Sequence, residues 1–197
     1  MPNIGLILLA AGSSSRLGRA KQLLDWKGES LLAHSLGQSS GLALSQRLVV
    51  YGARRLEIEP HLEQLEVPTT FNPDWRSGMG SSIKSGLKAI LELQADLEGI
   101  LFCLVDQPLI SKQQFQSMLS VHQAHPLSII SASYNGTFGV PVIFPKGFFS
   151  ALMALNEQAG AKKIIKKYQN QVILFPCPEA AFDIDTEADY SHLLSLS

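Results

Sequence analysis

The sequence predicts an α/β fold with a doubly wound, mostly parallel sheet, and three observations support this prediction. Short apolar runs alternate with helical patterns along the whole chain, as they do in βαβ units. The 197 residues suit a single domain, which we assign to residues 1–197, and we find no internal repeat or long linker. Polar residues suited to binding follow directly after several of the apolar runs. Ligands of open α/β sheets bind at these carboxyl ends.

Apolar or β-branched runs give the strands. The first, Ile4–Ala10, is entirely apolar apart from one glycine and precedes a Gly/Ser loop. The predicted strands are 4–10, 47–51, 68–71, 99–105, 128–133, 140–144 and 171–175. The segment 134–146 interrupts the strand–helix alternation, and we expect a small β insertion there, either a hairpin or an antiparallel edge.

Apolar spacing and capping residues give the helices. A helix over 82–91 places Ile83, Leu87 and Ile90 on one face. Capping boxes begin two further helices, since Ser111 precedes Gln114 and Thr186 precedes Asp189 by three residues. The lysine-rich run 162–167 predicts an amphipathic helix with a solvated basic face.

The composition excludes several functional classes. The net charge is −1, whereas nucleic-acid binding requires a strongly basic face, so no nucleic-acid partner is expected. The two cysteines give neither a disulfide framework nor metal-ligand spacing, which favours the cytoplasm. The apolar run 4–11 is too short to span a membrane, so no membrane association is expected.

The loop after the first strand has the features of a triphosphate site. Gly12 and Ser13 begin a Gly/Ser stretch that brings backbone N–H groups close to an anion, and Arg16 and Lys21 add positive charge. Five residues separate Gly12 from Gly18, so the loop is neither a P-loop nor a dinucleotide fingerprint. Without the later motifs, a surface turn would be the simpler interpretation.

Two aspartates are candidate Mg²⁺ ligands. Asp106 directly follows the strand 99–105, and we expect Asp185 to lie where a strand leads into a helix. Carboxylates together with nucleotide phosphates are the ligands that Mg²⁺ prefers. A helix-capping turn is an equal alternative for Asp185, and Asp183, on the same face, is an uncertain assistant.

A third segment, Asn72–Ile83, leads two glycines and two serines into a helix. Free N–H groups and hydroxyls at such a helix start provide donors for a base and ribose. The alternative is a well-capped helix with a flexible lead-in.

Taken in order, these motifs resemble the nucleotidyltransferases that modify the molybdenum cofactor, the cytidylyltransferases in particular. They read LAAGSSSRLGRAK, QLLDWKGESLL, NPDWRSGMGSSIKSGL, LVDQPLI, GVPVIF and FDIDTEAD, and they span nearly the whole chain. The resemblance implies a Rossmann-like nucleotidyltransferase fold. It also implies CTP, or another nucleoside triphosphate, and the molybdopterin cofactor as substrates, with a molybdenum hydroxylase as a possible acceptor protein.

The resemblance assigns a role to each matching position. Nucleotide-binding residues would be Ala10, Ala11, Gly12, Ser13, Arg16, Lys21, Asn72, Gly80, Ser81 and Ser82. Catalytic residues would be Arg16, Lys21 and Asp106, with Mg²⁺ held by Asp106 and Asp185. Gly139, Pro141 and Lys162 would face the second substrate. The segment Asn156–Lys162 lacks an aspartate and an arginine that are usual in that family, which bears on the identity of the acceptor.

The predicted function is therefore CMP transfer from CTP to the cofactor phosphate, with release of pyrophosphate. Three alternatives remain. A related enzyme could use GTP or a sugar-1-phosphate, and Ala11 favours cytosine over guanine only weakly. The D-x-D sequence at 183–185 also occurs in glycosyltransferases. A non-catalytic nucleotide or cofactor carrier would use the same pocket.

Overall fold

The computed structural model describes residues 3–196. Its strands are β1 Ile4–Ala10, β2 Asp25–Trp26, β3 Glu29–Ser30, β4 Gln46–Tyr51, β5 Thr69–Phe71, β6 Gly99–Leu104, β7 Ile129–Tyr134, β8 Thr137–Pro145 and β9 Val172–Pro176. Its α-helices are α1 Leu31–Gly37, α2 Arg55–Leu62, α3 Met79–Leu93, α4 Lys112–Ala124, α5 Phe149–Met153, α6 Lys162–Lys167 and α7 Glu187–Ser195. Short 3₁₀ turns occupy several of the connections.

Seven of these strands form one sheet in the order β5-β4-β1-β6-β8-β7-β9. β1 lies at its centre and pairs in parallel with both β4 and β6. Every pairing in the sheet is parallel except those of β8. The predicted α/β class and mostly parallel sheet are confirmed, because each apolar run predicted as a strand forms one.

The interrupting segment is a hairpin in the interior of the sheet. β7 turns into β8 through Asn135 and Gly136, which both have positive φ as a two-residue hairpin turn requires. The hairpin prediction is correct, and the antiparallel-edge alternative is wrong. β8 lies between β6 and β7, and its residues 141–145 are all buried.

Hydrophobic clusters cover the two faces of the sheet. Alternate residues of β1 point to opposite faces, so that Leu6 and Leu8 join one cluster while Ile7 and Leu9 join the other. α3 packs on one face through Ile83, Leu87 and Ile90, and α4 packs on the other. β1 and β6 are therefore packed on both faces up to their carboxyl ends, where the loops begin.

Within residues 3–196, no helix combines the length and the apolar character needed to cross a bilayer.

Candidate active site

A cleft of about 540 Å³ opens at the carboxyl ends of β1 and β6. Three chain segments and one further aspartate line it. The lining residues are Leu9–Arg16 with Lys21 and Gln22, then Trp75, Arg76, Gly78, Met79 and Ser82, then Leu104–Asp106, and finally Asp185. The predicted residues Ala10, Ala11, Gly12, Ser13, Arg16, Lys21, Ser82, Asp106 and Asp185 therefore share one cleft.

The loop after β1 presents a row of backbone donors. The N–H groups of residues 12–16 make no hydrogen bond to any other residue within 3–196. The loop folds around Ser14, whose φ is 53° and whose carbonyl accepts from the N–H groups of Leu17 and Gly18. Consecutive free N–H groups in such a turn form a concave site for an anion.

Lys21 joins this loop to the two aspartates. Its Nζ lies 3.0 Å from Asp106 Oδ2 and 2.9 Å from Asp185 Oδ1, and Lys21 is only 7% exposed. Arg16 donates from Nη2 to Asp185 Oδ2 at 2.6 Å. Asp106 and Asp185 are 85 and 164 positions away from Lys21 in the sequence, and both contact its ammonium group.

Charge pairing sets the pKa values in this cluster. Burial alone would lower the pKa of Lys21, but Asp106 and Asp185 outweigh it and raise the pKa above its ordinary value. Burial raises the pKa of Asp185, and hydrogen bonding and attraction from Lys21 and Arg16 more than offset this, so the net shift is downward. At neutral pH the cluster therefore holds fixed charges of both signs.

Asp183 differs from Asp185 in its surroundings. Burial of its carboxyl group and the neighbouring charge of Asp106 raise its pKa to about 6. Neither Lys21 nor Arg16 hydrogen-bonds to it, and it does not line the cleft. The structure therefore separates the two aspartates of the D-x-D sequence.

The carboxylate oxygens of Asp106 and Asp185 are suitable ligands for a divalent cation. Asp106 Oδ1 is buried and has no hydrogen-bond partner among residues 3–196, so one carboxylate oxygen is left for a ligand. Among the same residues, no three His, Cys, Asp or Glu side chains cluster as a metal site. Two carboxylates suffice for Mg²⁺ where nucleotide phosphates complete the coordination.

The segment before α3 contributes differently from the prediction. Asn72 is buried and donates from Nδ2 to the hydroxyls of Ser81 and Ser82, while the Ser81 hydroxyl donates to main-chain carbonyls. Gly80 donates its N–H to the Glu157 carbonyl. Asn72, Gly80 and Ser81 lie outside the cleft lining, because their polar groups stabilise the loop itself.

The residues expected to face the second substrate also lie outside the cleft lining. Gly139 and Pro141 are in β8 at the sheet edge that carries Asp106, because Val142 pairs with Phe102. Lys162 is at the start of α6 and donates to Thr137 Oγ1 at 2.6 Å. The start of β8, with Lys162 bound to it, therefore lies at the same edge of the sheet as Asp106.

Sequence analysis missed three supporting residues. Gln22 is fully buried and donates to the carbonyls of Ala10 and Gly12, which fixes the start of the loop. His34 contacts the Pro108 carbonyl at 3.0 Å, close to Asp106. Arg54 donates to two loop carbonyls from outside the cleft. Gln22 opens the motif QLLDWKGESLL without a role assigned to it, and His34 and Arg54 lie outside the quoted motifs. Their contacts have no sequence signal, since their partners are distant in sequence or are backbone atoms.

Residues 6–172 match the family described as the MobA-like NTP transferase domain. The chain belongs to this family. It is thereby a nucleotidyltransferase of the MobA-like type, and its cleft combines a Gly/Ser loop with a pair of carboxylates.

Full-length relatives have diverse names. The chain is 28% identical to the purine catabolism protein PucB of Bacillus subtilis, covering 93% of this chain and 92% of that protein. It is 30% identical to the nicotine blue oxidoreductase of Paenarthrobacter nicotinovorans, covering 98% of each. It is 24% identical to the molybdenum cofactor cytidylyltransferase of Escherichia coli, covering 96% of this chain and 95% of that enzyme.

Solved structures share the fold. The homologue of Rv0371c from Mycobacterium sp. strain JC1 superposes with a TM-score of 0.82 at 28% identity, over 98% of this chain and 96% of that one. Rv0371c of Mycobacterium tuberculosis in complex with manganese has a TM-score of 0.76 at 22% identity, over 99% and 100% of the chains. The Rossmann-like nucleotidyltransferase fold is therefore confirmed.

Proposed function

We propose that this protein transfers CMP from CTP to the phosphate of the molybdopterin-bound molybdenum cofactor and releases pyrophosphate. One observation carries the proposal: residues 12–16, whose N–H groups are free, line the same cleft as Lys21, Asp106 and Asp185. Similarity to the Escherichia coli cytidylyltransferase over nearly the full chain supports the choice of substrates.

The reaction needs no general base. An oxygen of the acceptor phosphate, already anionic, attacks the α-phosphorus of CTP, and the bond from that phosphorus to the pyrophosphate oxygen breaks. The protein must hold two anions in line and stabilise the charge that develops on the pyrophosphate. Positioning and electrostatic stabilisation therefore account for the rate enhancement.

Arg16, Lys21 and the N–H groups of residues 12–16 bind the β- and γ-phosphates in this mechanism. Their charge and dipoles stabilise the leaving pyrophosphate, because they are in place before the reaction begins. Lys21 pairs with Asp106 and Asp185 in the structure, and it would exchange these partners for phosphate oxygens when the nucleotide and the cation bind.

Asp106 and Asp185 hold the divalent cation, which we propose is Mg²⁺. When bound, Mg²⁺ neutralises phosphate charge and withdraws electron density from the α-phosphorus. The unpartnered Asp106 Oδ1 suits this role because a buried carboxylate oxygen without a partner is unfavourable.

The base and ribose bind in the same cleft in this proposal, against Ala10, Ala11 and Ser82, which line it directly. Asn72, Gly80 and Ser81 act indirectly, by fixing the loop that presents Ser82. The small side chain of Ala11 favours cytosine in this proposal.

The acceptor approaches along the edge formed by Gly139, Pro141 and Lys162. Lys162 supplies a positive charge beside Thr137 and Phe138, at the start of β8, which suits an anionic pterin phosphate. After transfer, the product passes to a molybdenum hydroxylase in this proposal.

Pyrophosphate release by the purified protein tests the proposal. The protein is supplied with Mg²⁺, molybdenum cofactor and CTP, GTP or ATP in separate reactions. Release with CTP alone supports the proposed reaction. Release with another nucleotide alone would reassign the base specificity, and no release with any nucleotide that the protein binds would favour another acceptor or a carrier role.

A further inference from the structure

Arg54 holds the loop after β1, residues 12–18, from outside the cleft; this loop is called the phosphate loop for its proposed role. It is the residue before α2, and its guanidinium group donates from Nε to the Ser13 carbonyl at 3.2 Å and from Nη2 to the Gly18 carbonyl at 2.6 Å. These two carbonyls lie on either side of the turn around Ser14. One planar fork thus spans the loop, a geometry that arginine provides and lysine does not.

The backbone places Arg54 for this contact at a conformational cost. Its φ and ψ are 55° and 33°, in the left-handed region that residues with a Cβ rarely adopt. The preceding residue, Ala53, donates its N–H to the Ala11 carbonyl at 3.1 Å. The strained turn is therefore attached to the beginning of the same loop that the side chain holds.

Fixing these carbonyls orients the N–H groups. In a planar trans peptide the C=O and the following N–H point in opposite directions. The Ser13 carbonyl faces Arg54, so the N–H of Ser14 points away from Arg54. Arg54 itself does not line the cleft. Ser14 itself lines the cleft, and its N–H is one of the five free donors.

The charge of Arg54 is already compensated. Nη1 donates to Glu57 Oε1 at 3.0 Å, and the arginine side chain is 27% exposed. Arg54 therefore influences an anion in the cleft through the shape of the loop rather than through long-range attraction.

We infer that Arg54 is a positioning residue that keeps the loop 12–18 in its triphosphate-binding conformation. The inference rests on the proposed function, because it takes the loop as the triphosphate site. Arg54 touches neither nucleotide nor metal in this scheme.

The test compares Arg54→Ala and Arg54→Lys with Arg55→Ala as a matched control. Arg55 is the next residue, is also paired with a glutamate, Glu59, and makes no contact with the loop. Calorimetry with Mg²⁺ measures the dissociation constants of inorganic tripolyphosphate, CTP and CMP, and thermal melting monitors folding. Backbone amide NMR shifts of residues 12–16 report the loop conformation.

We expect Arg54→Ala to weaken tripolyphosphate and CTP binding by about tenfold, the effect of losing a charge-assisted hydrogen bond. CMP binding changes much less, the amide shifts of residues 12–16 move, and Arg54→Lys recovers only part of the loss. Arg55→Ala binds all three ligands as the unmodified protein does.

Equal tripolyphosphate affinity in folded Arg54→Ala and the unmodified protein would overturn the inference while leaving the proposed function intact. If Arg54→Ala unfolds below the temperature of the titration, the tripolyphosphate affinity of Arg54→Lys is measured instead. An affinity equal to that of the unmodified protein would also overturn the inference. Failure of the unmodified protein to bind tripolyphosphate or CTP would instead contradict the proposed function.

Discussion

Lys21 is the residue on which most of the site's charges converge. Its buried ammonium group contacts both candidate metal ligands and lies beside the phosphate loop. We expect Lys21→Ala to reduce pyrophosphate release by roughly 10²–10³-fold, as does loss of one preorganised donor in other active sites. The loss should appear at saturating CTP, because the donor acts on charge that develops during the reaction.

Lys88→Ala is the control for this prediction, since Lys88 is an exposed lysine on α3 outside the cleft. It removes the same charge and should leave turnover unchanged. Near-normal turnover in Lys21→Ala would contradict the role assigned to Lys21.

At the residue scale, the charged residues of the cleft can be predicted from the sequence better than the residues that hold the loop in place. Arg16 and Lys21 lie in the chain after β1, and Asp106 follows β6. Asp185 follows no strand, contrary to the prediction, because residues 182–185 are irregular and lead directly into α7. The structure nevertheless brings the four residues together. The ion pairs between them have no sequence signal. The contacts of Arg54 with the loop also have no sequence signal, because its partners there are backbone carbonyls and every residue type has a backbone carbonyl.

At the scale of elements, the start of α3 depends on close contact with the loop 156–159. A Cβ added to Gly80 would lie 2.3 Å from the Asn156 carbonyl oxygen and 2.8 Å from that of Ala159. We expect Gly80→Ala to lower the free energy of unfolding by about 1–3 kcal/mol, because the backbone must move to relieve the overlap. Urea denaturation measures this change.

Gly147→Ala is the matched control, because a Cβ there meets nothing within 4 Å and φ is not positive. Its free energy of unfolding should change by no more than about 0.5 kcal/mol. Equal effects of the two substitutions would show that the contact between α3 and the loop is not tight.

The contact between β4 and α2 predicts a pH dependence. Tyr51 donates to Glu59 Oε1 at 2.7 Å, and burial together with this hydrogen bond raises the pKa of Tyr51 to about 12. A phenol in the unfolded chain ionises near pH 10. Because the folded pKa is higher, the stabilisation is complete below pH 10 and is lost as the pH rises toward 12.

Tyr51→Phe removes this ionisation. We expect the free energy of unfolding of the unmodified protein to fall more steeply between pH 10 and 12 than that of Tyr51→Phe. Denaturant titrations of both proteins across this range measure the difference, and parallel curves would contradict the assignment.

Strands and helices could be predicted where a segment was long enough for its apolar residues to show a regular spacing. The buried strands and the helices α3, α4 and α7 lie within three residues of their predicted starts. The ribbon β2–β3, with two residues in each strand, is too short to show alternation. The place of β8 inside the sheet depends on pairing with β6, which is distant in sequence, and the local pattern does not specify it.

At the scale of the whole molecule, the sheet order explains why distant motifs share one cleft. β1 and β6 are neighbouring parallel strands, so the phosphate loop and Asp106 leave the sheet at the same edge. Asp185 completes the cluster because Ile184 donates its N–H to the Asp106 carbonyl at 2.9 Å. The backbone, and not the ion pairs alone, therefore aligns the two candidate metal ligands.

The overall fold also leaves the acceptor side less constrained than the nucleotide side. The phosphate loop is held by Gln22, Arg54 and Lys21, whereas Lys162 makes one exposed hydrogen bond. Family membership specifies nucleotidyl transfer, and the names of the relatives vary widely at similar identity. Direct measurement of the acceptor therefore discriminates best among the activities that these relatives represent.

The transfer of labelled phosphorus tests the central claim most directly. CTP labelled at the α-phosphorus is incubated with the protein, Mg²⁺ and molybdenum cofactor, in parallel with Asp106→Asn as the inactive control. The account predicts that the α-label enters the pterin product while a γ-label leaves in pyrophosphate, and that Asp106→Asn gives neither. Label found only in free CMP, or γ-label transferred to the pterin, would contradict it.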